Sequence, residues 1–92
     1  MKHAGAKALG ELAPVIARLR AFDALREKSP GVFYCRSRAF LHFHEDEAGL
    51  FADLRGPGDA SFERLPVNTA GDASALLNRV DQCLREARSA RR

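Results

Sequence analysis

The segment FLHFHEDEAGLFADL, residues 40–54, constrains the fold more than any other. Apolar and polar residues alternate on both sides of DEAG, and alternation is the signature of strands that bury one face. Gly49 closes the loop, where a short hairpin often needs a left-handed residue. With Asp46–Gly49 as the loop, Glu45 faces Leu50, His44 faces Phe51, Phe43 faces Ala52, His42 faces Asp53 and Leu41 faces Leu54. Leu41, Phe43, Leu50, Ala52 and Leu54 then form the core side. Phe40, His42, His44, Phe51 and Asp53 share the other.

Two further runs extend the sheet. VFYC (32–35) is β-branched and aromatic, and FERLPV (62–67) alternates until Pro66 places its end at a sheet edge. A turn at Ser37-Arg38 would set Cys35 opposite Phe40 and Phe33 opposite His42. That register sends Val32 and Tyr34 to the core and adds Phe33 and Cys35 to the histidine side. On the fourth run, Leu65 and Val67 join the core, and Phe62 and Arg64 lie opposite. RGPGDAS (55–61) is a Gly/Pro loop without the Lys-Ser/Thr of a phosphate loop.

Helical periodicity brackets these strands. Leu12, Val15, Ile16, Leu19 and Phe22 share one face of a helix expected over Leu12–Leu25. Pro14 fits only its first turn or a kink, and SPG (29–31) is read as its end. A second helix carries the stripe Ala73, Leu76, Leu77, Val80, Cys83, Leu84 and Ala87. Thr69 and Asp72 resemble a capping box with a shorter acid. Arginines crowd its C-terminal end, where cations suit the helix dipole.

The expected fold is therefore α+β, in the order α-β-β-β-β-α. It is a four-stranded antiparallel meander with both helices packed on one face. The 92 residues make one small domain, with 1–10 a disordered or frayed lead and 88–92 a frayed basic tail. The order resembles that of other small α-β-meander-α domains, such as frataxin-like or YjbR-like folds. The resemblance is one of arrangement, and no motif residue here carries their functions.

Composition narrows the setting. Hydrophobic residues are 46% and charged residues 29%, ordinary for a globular protein. No apolar run approaches the length of a membrane span, and Gly10, Glu11 and Pro14 interrupt any signal-like start. A cytoplasmic location is expected, and the preference for arginine over lysine suggests a bacterial source. The two cysteines, Cys35 and Cys83, lack CxxC spacing and read as thiols rather than a disulfide. Charge is segregated: residues 1–38 carry eight bases against three acids, 39–72 two bases against seven acids, and 73–92 five bases against two acids. Such complementarity suits solvated faces of one chain, or a basic helix of one copy meeting an acidic loop of another.

The histidine side is the candidate functional surface. His42 and His44, two residues apart on a strand, lie about 6.6–6.8 Å apart along the chain, within reach of one ion. With Asp53 and Cys35 they form a candidate metal set, with zinc as the candidate cofactor. A His42–Asp53 pair beside the Cys35 thiol has ingredients of nucleophilic chemistry but no oxyanion-hole signature, so no catalytic residue is assigned. The ordinary alternative is a cross-strand polar pair. Phe33, Phe40, His42, His44 and Phe51 together suggest an interface with a second copy or another protein. Single-stranded nucleic acid is a weaker fit, because the central strands are acidic. A non-enzymatic interaction module, homodimeric through this aromatic face, is the leading expectation.

Overall fold

A computed structural model describes residues 2–56 and 61–89. Its elements are β1 (Lys2–His3), α1 (Ala6–Glu11), α2 (Ala13–Arg20), β2 (Arg26–Ser29), β3 (Val32–Cys35), β4 (Arg38–Asp46), β5 (Gly49–Leu54), β6 (Glu63–Pro66) and α3 (Ala70–Ser89). The class is α+β with an antiparallel sheet. Five strands, rather than the four expected, run in the order β2-β3-β4-β5-β6. The short β1 also pairs with β4, Lys2 against Glu45 and His3 against His44. Within residues 1–10, expected as a disordered or frayed lead, lie the strand Lys2–His3 and most of the helix Ala6–Glu11.

The added strand lies between the expected first helix, Leu12–Leu25, and the proline and glycine read as its terminator. Pro14 sits in the first turn of α2, where its missing N–H costs nothing, and Val15, Ile16 and Leu19 form the buried stripe. The helix stops at Arg20, and the chain re-emerges as β2. Glu27 anchors this edge strand by accepting hydrogen bonds from the Arg20 guanidinium and from Gly31 N, the latter at 3.1 Å. Pro30-Gly31, read as a helix terminator, is instead the β2–β3 turn. Gly31 has φ of 75°, the left-handed value that the second central residue of a type II turn requires.

The β4–β5 hairpin has the expected register at every pair from Leu41–Leu54 to Glu45–Leu50, with Asp46–Gly49 added. The β3–β4 register is different. The turn is Arg36-Ser37, with φ of 55° and 67°, the paired left-handed values of a type I′ turn. Val32 consequently faces His42, Phe33 faces Leu41 and Cys35 faces Arg38. A one-residue slip exchanges the faces. The ladder also shifts between Phe33 and Tyr34, leaving Phe40 as the extra residue of a β-bulge.

One buried cluster unites the fold. It joins Leu12, Val15, Ile16 and Leu19 with Leu76, Val80, Cys83 and Leu84 of α3, and with Phe33, Leu41, Phe43, Ala52 and Leu54 of the sheet. The capping box is formed: Asp72 N donates to Thr69 Oγ1 at 3.0 Å, and Thr69 N donates back to Asp72 Oδ2 at 3.2 Å. Asp72 Oδ2 also accepts from Asn68 N, at 3.0 Å. No disulfide joins Cys35 and Cys83. Among the described residues, no helix is long and apolar enough to cross a membrane. Residues 57–60 of the Gly/Pro loop and residues 90–92 of the basic tail lie outside the described residues.

Candidate functional site

His42 and His44 sit two apart on β4 and so project from the same side. Asp53 on β5 faces His42, and Arg64 on β6 faces Asp53. Three neighbouring strands, from the central β4 to the edge strand β6, thereby bring two imidazoles, a carboxylate and a guanidinium together. His44 reaches Asp53 along the diagonal of the ladder, which long side chains can span.

His42 Nδ1 lies 2.5 Å from His44 Nε2, and that same Nε2 lies 3.2 Å from Asp53 Oδ2. The ligand-type atoms of His42, His44 and Asp53 all fall within 4.8 Å of one another. Arg64 grips the carboxylate with both prongs, Nε donating to Oδ1 at 2.9 Å and Nη2 to Oδ2 at 3.0 Å. Such bidentate charge-assisted bonds are stronger than neutral ones. The Arg64 bonds hold the Asp53 carboxyl below its usual range; burial opposes this, and the nearby histidines reinforce it. The same bonds raise the Arg64 guanidinium above its usual value.

Aromatic rings border the cluster. Phe62 stands edge-on to His42 with centroids 4.7 Å apart, and the Arg55 guanidinium lies 4.7 Å above the Phe62 ring. Arg55 is itself fixed by donating twice to Ala39 O, at 3.2 and 2.8 Å. Phe51 faces His44 and is half-buried.

The structure brings together His42, His44 and Asp53 but separates Cys35 from them. Cys35 alternates with Phe33 and packs against the core cluster. The turn one residue earlier than expected moves its thiol to the other side of the sheet, so it is neither a fourth ligand nor a nucleophile for the His42–Asp53 pair. Phe33 and Phe40, expected at the interface, are 1% and 6% exposed and belong to the core. The register slip accounts for Phe33, and the bulge for Phe40. Val32 takes the place opposite His42, and Tyr34 alternates away from the core, reversing their expected positions. Alternation places Arg64 on this face but does not reveal it as the partner of Asp53. The Asp53–Arg64 register across the Gly/Pro loop was the available signal.

Two imidazole nitrogens at this separation repel unless a proton or a cation lies between them, and the carboxylate favours either. A separate cavity of about 940 Å³ opens by the β4–β5 turn, lined by Glu11, Glu45, Asp46, Glu47, Gly49, Leu50, Val67 and Asn68. Among the described residues its lining has carboxylates but no imidazole.

No family model matches this chain, and neither a curated protein nor a solved structure is significantly similar to it.

Proposed function

We propose that the chain is a non-enzymatic binding module. Its working surface is the sheet face carrying His42, His44, Phe51, Asp53, Phe62 and Arg64, with the helices packed on the opposite face. The shared burial of Ile16 and Leu76 with Leu41, Phe43, Ala52 and Leu54 supports that layering.

The observation that carries the reading is Asp53. Asp53 is only 7% exposed and lies outside the apolar cluster; its carboxylate is met by the His44 imidazole and the Arg64 guanidinium, with His42 opposite it in the ladder. Desolvating a charge is costly, and such groups concentrate at working sites. A binding role fits better than a catalytic one, because the Cys35 thiol that His42 and Asp53 would activate lies off this face. Self-association through an aromatic surface has less support than the sequence suggested. With Phe33 and Phe40 in the core, the apolar groups left are Val32, Phe51 and Phe62, a small share of the roughly 800 Å² per partner of a standard interface.

The test is amide chemical-shift mapping of the full chain against divalent metal salts, inorganic phosphate and a short single-stranded oligonucleotide at low salt. The expected result is perturbation clustered at residues 42–44, 51–53 and 62–64. No perturbation by any ligand, or perturbation confined to Glu45–Gly49, would overturn the reading.

A further inference from the structure

Resting on that binding-face reading, we propose that the ligand is a divalent transition-metal ion of the zinc class, held by His42 Nδ1, His44 Nε2 and one carboxylate oxygen of Asp53.

The geometry is close to what such an ion needs. Zinc binds imidazole nitrogen and carboxylate oxygen at about 2.0–2.2 Å, so tetrahedral donors stand roughly 3.3 Å apart. The His44 Nε2–Asp53 Oδ2 separation of 3.2 Å already matches. The His42–His44 pair, at 2.5 Å, must open by less than about 1 Å, which small rotations of two side chains supply. All three donors stand on neighbouring paired strands, so the backbone is rigid where the site needs precision.

The donor set selects the ion. Two imidazoles favour zinc and its first-row neighbours over calcium and magnesium, which prefer all-oxygen cages. Arg64 completes the arrangement by orienting Asp53 rather than competing for its whole capacity. A carboxylate offers about four lone-pair positions, and the guanidinium uses two. Arg64 also keeps the carboxylate ionised, the form a metal requires. Three protein donors leave a fourth position for water or an anion.

The experiment is calorimetric titration of the metal-free full chain with zinc chloride near neutral pH, with magnesium chloride as control, repeated on His42→Gln and His44→Gln. Glutamine keeps a polar, hydrogen-bonding side chain, and circular dichroism checks that each variant folds. The expected result is one zinc per chain with Kd tighter than about 10 µM, no magnesium binding, and at least about tenfold weakening in each variant. Cobalt absorption supplies a second readout, a tetrahedral spectrum that both variants lose. Zinc binding that is absent, or unchanged in His42→Gln and His44→Gln, overturns the proposal. If zinc fails while phosphate or the oligonucleotide still perturbs the face, the metal falls and the binding face stands. If none of the ligands perturbs it, both fall.

Discussion

Asp53 faces His42 across the β4–β5 ladder, yet its carboxylate meets the neighbouring imidazole, with Oδ2 3.2 Å from His44 Nε2. The diagonal contact leaves His42 to approach His44 from the other side, with ring centroids 4.6 Å apart. One nitrogen, His44 Nε2, is thus the meeting point of the cluster. Arg64 holds the carboxylate from the third strand, and this fixes which oxygen points at the histidines.

Arg64→Met is expected to return the Asp53 carboxyl toward the ordinary carboxylate range. The folded-state value of Asp53 lies below the unfolded one, so its contribution to stability is present at neutral pH. It is lost as pH falls through the folded value. Wild type should therefore exceed Arg64→Met in stability at neutral pH, and the gap should close below about pH 4. Urea unfolding across pH, with carboxyl NMR titration of Asp53, checks this. A gap independent of pH would contradict it.

The β3–β4 register predicts opposite sensitivities for two phenylalanines. Phe33→Ala removes a ring that is 1% exposed and should cost about 3–5 kcal/mol, a large share of the stability of a domain this size. Phe51→Ala, on the half-buried face, should cost less than about 1.5 kcal/mol. Urea unfolding of both variants reads the difference. Equal losses would argue for the register with Phe33 on the histidine face.

The turn offers a gain-of-stability test. Arg36 and Ser37 both hold positive φ, which asparagine and glycine adopt with less strain. The double change Arg36→Asn, Ser37→Gly should stabilise by about 1 kcal/mol and raise Tm by several degrees. No rise would mean that the turn lies elsewhere.

Gly49→Ala should be destabilising for two separable reasons. Gly49 has φ of 130°, and a Cβ there would lie 2.5 Å from Asn68 Oδ1. Asn68 cannot easily yield, because its side chain accepts from Leu50 N at 2.8 Å and donates to Leu50 O at 3.2 Å. The expected cost is about 1–3 kcal/mol. In an Asn68→Ala background the steric part disappears and the backbone part remains, so a double-mutant cycle should show coupling.

These residues also show what the sequence could convey. The β4–β5 register was legible because alternation on both strands and a glycine at the turn agreed. The α3 cap was legible because Thr69 and Asp72 have the spacing that the hydrogen bonds require. The β3–β4 register was not, because Arg36 and Ser37 adopt left-handed backbone without announcing it, and the bulge at Phe40 breaks alternation. Strand β2 was hidden because REKS is polar throughout and pairs on only one side. His42, His44 and Asp53 survived as a set because they rest on the legible hairpin. Cys35, Phe33 and Phe40 did not, because they rest on the other one.

The most direct test of the metal site is imidazole nitrogen NMR of the full chain, titrated with zinc to one equivalent. The account predicts that His42 Nδ1 and His44 Nε2 shift together and saturate at one zinc per chain, while the other ring nitrogen of each histidine remains unligated. Unchanged nitrogen shifts at His42 and His44, with zinc taken up elsewhere or not at all, would contradict it.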